Sequence, residues 1–124
     1  MAVRSKGRNF RELKVWEKSH QLTLEAYQCT TSFPREEVFG LTSQIRRSAS
    51  SVPANIAEGC GRGGGDLPRF CRIAAGSASE LQYHLLLARD LGFLDKTSYS
   101  DLERQATEVE RMLASFIDRL MSDD

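Results

Sequence analysis

Three glycines near the middle of the chain resemble a nucleotide-binding motif. Gly59, Gly61 and Gly64 match the pattern G-x-G-x-x-G. In dinucleotide-binding folds this pattern lets backbone amides approach the pyrophosphate of the ligand. That fingerprint requires a preceding strand, and the residues before Gly59 have the periodicity of a helix. Asp66 would also place a carboxylate where the phosphate should lie. We therefore interpret the glycines as a connector between two helices, and we expect no cofactor.

The histidines and serines do not form a pattern typical of catalysis. His20 lies on an apolar helical face with Trp16, and His84 lies among leucines. A di-iron bundle needs Glu-x-x-His on two helices, and only Glu17 and His20 have that spacing. No G-x-S-x-G nucleophile elbow occurs in the sequence. We expect neither a metal site nor an enzymatic activity.

Several arginines are candidates for binding phosphate groups, because guanidinium groups bind phosphates through charge-assisted hydrogen bonds. Arg46, Arg69, Arg72 and Arg89 can act together with the basic first segment only if the fold brings them to one surface. Scattered surface arginines are the alternative. The sequence leaves both interpretations open.

A line of polar residues follows the second apolar segment at intervals of four, four, three and four. Its members are Arg47, Ser51, Asn55, Glu58 and Arg62. One interpretation is a solvated face that carries an ion pair between Glu58 and Arg62, four residues apart. The other is a buried or intersubunit hydrogen-bond network built on Arg47, Asn55 and Glu58.

Breaks in the hydrophobic periodicity divide the chain into four amphipathic segments. They lie near residues 11–32, 36–60, 66–91 and 97–122. Four such segments with short connections predict an all-α, antiparallel up-down-up-down four-helix bundle. We expect residues 1–10 to be a flexible basic N-terminus and residues 11–122 to form a single bundle domain.

Individual residues predict details of these helices. Pro53 lies inside the second segment, whose apolar pattern starts at Val38; we expect a kinked but continuous helix, and two separate helices are the alternative. Ser50 and Ser51 are expected to bind backbone groups that the proline frees. Asp66 is the expected N-cap of the third helix.

The ends and packing faces of the helices are also marked in the sequence. Gly92 is the expected C-terminal stop of the third helix. The small residues 74–79 predict that a neighbouring helix approaches closely. The first segment has a wide apolar stripe, typical of a helix that is contacted on two sides. It consists of Leu13, Trp16, His20, Leu24 and Tyr27 at three-four spacing, with Val15, Leu22, Ala26 and Cys29 beside them.

The charges balance over the whole chain but not along it. Seventeen Lys and Arg residues equal seventeen Asp and Glu residues, so net charge does not drive indiscriminate binding to nucleic acid or to anionic membrane. Residues 1–20 carry six basic and two acidic side chains, whereas residues 93–124 carry four basic and eight acidic ones. Any binding to nucleic acid must therefore come from a local patch.

The three cysteines are odd in number and lack C-x-x-C spacing, which favours free thiols over a disulfide framework or a zinc site. The first residues contain no apolar signal segment, and no run of about eighteen apolar residues occurs. We expect a cytoplasmic protein that does not contact a membrane.

Motifs along most of the chain resemble those of one protein family. They are Phe10-x-x-Leu13-x-Val15-Trp16, Phe33-Pro34, the run FGLTSQIRR at 39–47 and the run VPANIAEG at 52–59. The resemblance extends from Phe10 to about Leu120, and the run from Pro53 to Gly59 is the most diagnostic. The chain resembles the four-helix-bundle proteins related to ribosomal-RNA intervening-sequence proteins.

The resemblance implies a helix that continues through Pro53 and a ring-shaped homopentamer. Within this family, the accessory variability proteins of diversity-generating retroelements are basic barrels that bind nucleic acid and a reverse transcriptase. Carried over to this chain, the resemblance implies that the protein binds RNA or DNA and a protein partner such as a reverse transcriptase. The candidate nucleic-acid-binding residues are then Arg46, Arg47, Arg62, Arg69 and Arg72.

Two functions of different classes follow. The leading one is a non-enzymatic oligomeric protein that engages RNA or DNA, together with a protein partner, through basic patches repeated around a ring. The alternative is a protein-interaction scaffold with no nucleic-acid contact, which the zero net charge and the acidic fourth segment favour. Binding to nucleic acid depends strongly on salt, which distinguishes the two.

Overall fold

Four long helices make up most of the structure, a computed structural model that describes residues 8–122. They are α1 (Lys14–Thr30), α2 (Leu41–Arg62), α3 (Asp66–Asp90) and α4 (Lys96–Ser122), and short 3-10 helices occur at Phe10–Glu12 and Arg35–Glu37. No strand occurs within residues 8–122. The predicted all-α class with four helices is confirmed.

Helices that are adjacent in sequence are adjacent in space. Helices α1 and α3 each pack against both α2 and α4. Only residues 63–65 connect α2 to α3, and so short a connection makes the two helices antiparallel neighbours. We call the bundle end with this connector, the start of α1 and the end of α4 the glycine end. The opposite end, with connectors 31–40 and 91–95, is the loop end.

The core consists of one apolar stripe from each helix. In α1 this stripe is Val15, Leu22 and Ala26, whereas the residues that the three-four spacing singled out, from Leu13 to Tyr27, are only partly buried or exposed. Its largest fully buried side chains are Leu22, Ile45, Ile56, Leu81, Leu85 and Leu113. The apolar stripe of α1 is broader than the core needs, because Leu24 and Tyr27 remain 50% and 43% exposed. Helices α2 and α4 thus cover two sides of α1, and the outer part of its apolar stripe stays exposed within the described residues.

Helix α2 runs unbroken through Pro53, so the expectation of one continuous helix is confirmed. Proline has no N–H and leaves the carbonyl four residues earlier, that of Ala49, without its helical partner. The Thr23 hydroxyl of α1 lies 3.1 Å from this carbonyl and shares its single proton between it and the Ser19 carbonyl of its own helix, at 2.8 Å. The expected role of Ser50 was wrong, because its hydroxyl donates to the Arg47 carbonyl.

Helix α2 starts later than its apolar pattern suggests. The chain between Pro34 and Leu41 forms the 3-10 helix Arg35–Glu37, and the Glu37 carboxylate accepts from the Leu41 N–H at 2.9 Å. This hydrogen bond satisfies one of the free amides at the start of α2. Val38 lies before the helix and is 50% exposed, so its assignment to the apolar pattern was wrong.

The ends of α3 confirm one prediction and contradict another. Gly92 has a φ of 82°, its N–H donates to the Arg89 carbonyl at 3.0 Å, and the Phe93 N–H donates to the Ala88 carbonyl at 2.9 Å. This is a Schellman ending, as expected for a glycine stop. Asp66 is not the N-cap, because it is already the first helical residue and follows Gly65.

The small residues of α3 have two different environments. Ala74 and Ala78 are fully buried in the core. Gly76 is exposed, and a Cβ added there would meet nothing within 4 Å. The predicted close approach of another helix is therefore wrong for Gly76 within this chain.

The predicted flexible N-terminus lies mostly outside the described residues, which start at Arg8. The Arg8 N–H donates to the Cys60 carbonyl at 3.1 Å, which joins the chain before α1 to the end of α2. The Phe10 ring packs on Trp16 with centroids 4.9 Å apart. No helix within residues 8–122 is both long and apolar enough to cross a membrane.

Candidate nucleic-acid interface

Arg46 and Arg47 are consecutive in sequence but extend towards different helices. The Arg46 Nε donates to the Thr30 hydroxyl at 2.8 Å, and its guanidinium lies 4.8 Å from the ring centroid of Tyr27, so it lies against α1. Arg47 forms an ion pair with Glu80 of α3. The two side chains therefore do not form one phosphate site.

Arg62 and Arg69 lie together at the glycine end, on the α2–α3 edge. Their guanidinium groups lie 5.0 and 4.5 Å from the ring centroid of Phe70. The Asp66 carboxylate lies between them, 3.6 Å from Arg62 Nη1 and 3.9 Å from Arg69 Nη2. Arg62 also forms an ion pair with Glu58 at 3.1 Å. The carboxylates hold both guanidinium groups close to one another.

Arg72 extends this pair along α3. It is exposed and lies three residues after Arg69, which is a neighbouring position on a helix surface. Within the described residues it has no ion pair. Arg46, by contrast, lies sixteen residues before Arg62 on α2, or about 24 Å away along the helix axis. Of the five candidates, the fold brings together Arg62, Arg69 and Arg72.

Four further basic residues lie at the same end of the bundle. Arg8, Arg11 and Lys14 precede or start α1, and Arg119 is in the last turns of α4. The guanidinium groups of Arg8 and Arg119 each lie 5.8 Å from the Phe116 ring centroid. We call all seven residues the glycine-end cluster: Arg8, Arg11, Lys14, Arg62, Arg69, Arg72 and Arg119.

The ion pairs on the α2–α3 edge do not prevent phosphate binding. Arg62, Glu58, Asp66 and Arg69 are all about half exposed, and exposed ion pairs contribute only about 0–1 kcal/mol. A phosphate can therefore compete with these carboxylates for the guanidinium N–H groups, although the nearby Glu58 and Asp66 also repel it. Phe70 is only 6% exposed, so its ring does not offer a stacking surface to a base. The chemistry available is contact with the phosphate backbone.

The polar line along α2 separates into three sets of contacts. Arg47 pairs with Glu80, and Glu58 pairs with Arg62. Asn55 Nδ2 donates to the Ser51 carbonyl at 2.8 Å, while the hydroxyl oxygens of Ser51 and Ser77 are also 2.8 Å apart. Arg47, Asn55 and Glu58 form no direct hydrogen bond with one another in the described chain. An intersubunit network on these three residues stays a prediction.

The histidines and cysteines have packing contacts. His20 stacks on Trp16 with centroids 5.0 Å apart and planes 9° apart. Burial lowers the pKa of His84 below its ordinary 6.5. Burial also raises the pKa of Cys29 and of Cys71 to about 11, which disfavours the reactive thiolate. No group of three or more potential metal ligands occurs within residues 8–122.

The motifs and the fold agree with comparisons to known proteins. A family model described as 23S rRNA-intervening sequence protein matches residues 11–115. The chain belongs to this family. Its membership confirms the resemblance that the motifs carry.

A solved structure supports the same family assignment. It is a crystal structure of a protein of unknown function from the S23 ribosomal protein family of Bacteroides thetaiotaomicron VPI-5482. The two sequences are 26% identical, the match covers 84% of this chain and 95% of that chain, and the TM-score is 0.77. The comparison with curated proteins gives no match.

Proposed function

We propose that this 23S rRNA-intervening sequence family protein is a non-enzymatic, oligomeric protein that binds the phosphate backbone of RNA or DNA through the glycine-end cluster. The observation that carries the proposal is the convergence of Arg62, Arg69 and Arg72 with the basic start of the chain at one end of the bundle. Such a cluster supplies the local patch that a chain of zero net charge needs.

Oligomerisation is part of the proposal because one chain offers a weak site. Glu58 and Asp66 offset two of the three positive charges on the α2–α3 edge. Repeating the cluster in several copies converts weak contacts into avidity. The exposed Leu24 and Tyr27 on α1 support contact between copies. The ring-shaped homopentamer that the resemblance implies remains the proposed form.

Charge-matched variants test the binding site. In one variant Arg62, Arg69 and Arg72 are changed to Gln; in its control Arg89, Lys96 and Arg104, which are exposed away from the glycine end, are changed to Gln. The first should weaken binding to a short RNA or DNA and reduce the slope of log K against log salt by about 0.7–0.9 per lost phosphate contact. The control should leave that slope nearly unchanged.

Equal effects of the two variants, or no effect of the first, would contradict the assignment of the site. Circular dichroism of each variant checks that the helices are intact. A third variant, in which Arg46 and Arg47 are changed to Ala, tests the two candidates that lie elsewhere. We expect its salt slope to match that of the wild type.

A protein-interaction scaffold without nucleic-acid contact is the second candidate function. It is favoured by apolar side chains at the loop end, where Phe39, Val38 and Leu91 are 93%, 50% and 53% exposed. A partner that binds with an affinity insensitive to salt would support it. The reverse transcriptase as partner stays a prediction. So does the cytoplasmic location, which the three free cysteines support.

A further inference from the structure

The side chain of Phe39 projects from the loop end of the bundle. It is 93% exposed. Its turn is nevertheless fixed by hydrogen bonds, since the Val38 N–H donates to the Arg35 carbonyl at 3.1 Å and the Gly40 N–H donates to the Glu37 carbonyl at 2.9 Å. The bond from the Leu41 N–H to the Glu37 carboxylate ties the same turn to α2. A large apolar side chain is thus held in solvent by a well-bonded turn.

An apolar pocket lies at the other end of the molecule, on the α1–α4 edge. Its volume is about 160 Å³, and its apolar walls are Leu13, Val15, Met112 and Phe116. An apolar cavity of about 150 Å³ is large enough to bind a benzene molecule. The pocket therefore has the size and the chemistry to hold the phenyl ring of a phenylalanine.

The charges around the two features are complementary. Lys14 and Arg119 line the pocket and are both basic. The 3-10 helix before Phe39 contains Arg35, Glu36 and Glu37, which leaves one net negative charge. A loop end that approaches the pocket would therefore meet a rim of opposite sign, which favours association of the two ends.

We propose that Phe39 of one copy of this chain inserts into the pocket formed by Leu13, Val15, Met112 and Phe116 of a second copy. This inference rests on the oligomeric part of the proposed function and names its contact. The inserted residue and the pocket lie at opposite ends of the bundle, so a bound pair of copies still presents one free Phe39 and one free pocket. Such a heterologous contact closes into a ring or extends as a filament.

The contact is compatible with binding of nucleic acid. The pocket lies on the α1–α4 edge, whereas Arg62 and Arg69 lie on the α2–α3 edge and Arg72 follows Arg69 on the exposed outer face of α3. Because these two edges lie on opposite sides of the bundle, joining the copies leaves the three arginines accessible. Lys14 and Arg119 would take part in the contact between copies instead.

Two variants test the contact from its two sides. Phe39→Ala removes the inserted ring. Ser115 lines the pocket, so Ser115→Phe places a ring of the same chain where the Phe39 ring of the second copy would insert. Each should weaken self-association, measured by sedimentation, by about tenfold or more, because a fully buried Phe is lost from the interface. The control is Tyr83→Ala, which removes another aromatic ring that is 58% exposed and should not change association.

A cross-link tests the pairing directly. Chains carrying Val38→Cys, which keeps the Phe39 ring, are mixed with chains carrying Ser115→Cys under oxidised glutathione. We expect a disulfide between positions 38 and 115 of different chains, identified by mass spectrometry of the linked peptide. Much less of it should form when the Val38→Cys chain also carries Phe39→Ala.

The outcomes separate this contact from the proposed function. An oligomer that survives both Phe39→Ala and Ser115→Phe and gives no cross-link overturns the contact but leaves oligomeric nucleic-acid binding intact. Loss of association in Phe39→Ala but not in Ser115→Phe shows that the ring docks elsewhere and overturns the assignment of the pocket. A wild type that is monomeric at all concentrations overturns both the contact and the oligomer.

Discussion

At the scale of single residues, the hydroxyl of Thr23 compensates for a proline on another helix. The Ala49 carbonyl, which Pro53 deprives of its helical partner, accepts instead from Thr23 Oγ1, whose proton it shares with the Ser19 carbonyl. Thr23 and Ala49 are both buried, so water does not offer an alternative donor. Pro53, which begins the most diagnostic run of α2, is thus coupled to Thr23 of α1.

A double-mutant cycle tests this coupling. Thr23→Val should lower the free energy of unfolding by about 1–3 kcal/mol, because it leaves a buried carbonyl unsatisfied. In a Pro53→Ala background the new N–H of residue 53 can serve Ala49, and Thr23→Val should then cost about 1 kcal/mol less. Urea unfolding of the four proteins measures the difference. Equal costs in the two backgrounds would show that Thr23 does not compensate for the proline.

Two glycines of the same helix should respond oppositely to alanine. A Cβ at Gly59 would lie 2.9 Å from Phe70 Cβ and 3.3 Å from the backbone of Leu67, whereas one at Gly61 would meet nothing within 4 Å. Gly61→Ala should therefore raise the midpoint of urea unfolding, since alanine is favoured over glycine in a helix by about 1 kcal/mol. Gly59→Ala should lower it. Stabilisation by both would mean that α2 and α3 do not approach closely at Gly59.

At the scale of the helices, Asp95 precedes α4 and caps its first turn. Its carboxylate accepts from the Ser98 N–H at 2.8 Å and from the Ser98 hydroxyl at 3.1 Å. These hydrogen bonds lower the pKa of Asp95 below its ordinary 3.8. The carboxylate therefore stabilises the fold above pH 3.8, and this contribution is lost as the pH falls through the lower pKa of the folded state.

Asp95→Asn should make unfolding less dependent on pH in this window. The amide can still accept a hydrogen bond, but it has no charge to titrate. We expect the difference in unfolding free energy between wild type and variant to shrink as the pH falls below 3.8. Asp118→Asn, on the same helix but far from its first turn, is the control. A difference that stays constant with pH would contradict the role of the ionised carboxylate.

The sequence predicts helices better than it predicts contacts between them. The spacing of Leu102, Val109 and Leu113 was enough to find α4, because a three-four pattern has one physical origin. The predicted start of α2 was wrong because Val38 continues the apolar three-four pattern of the helix. The helix begins only at Leu41, whose N–H donates to the Glu37 carboxylate. Such a bond depends on a rotamer, which spacing does not encode.

The arginine site shows the same limit. Arg62, Arg69 and Arg72 converge because a three-residue connector reverses the chain between them. Arg119 joins the same end although its segment is acidic, and a charge count over that segment conceals it. Its position in the last turns of α4, combined with the antiparallel order of the helices, was the signal that could have revealed it.

At the scale of the whole molecule, the two ends of the bundle differ. The glycine end gathers seven basic side chains and an apolar pocket. The loop end presents the exposed side chains of Phe39, Val38 and Leu91, and Glu36 and Glu37 precede Val38 in the chain. The head-to-tail assembly that we propose joins these unlike ends and would repeat the basic edge around the particle.

The most direct test of the central claim is the mass of the particle by light scattering, with and without a short RNA or DNA, at low and high salt. We expect a multiple of the 13.9 kDa chain, with five copies in the ring that the resemblance implies. This particle should gain nucleic-acid mass at low salt and lose it at high salt. A 13.9 kDa monomer whose mass does not change with nucleic acid at either salt concentration would contradict the claim.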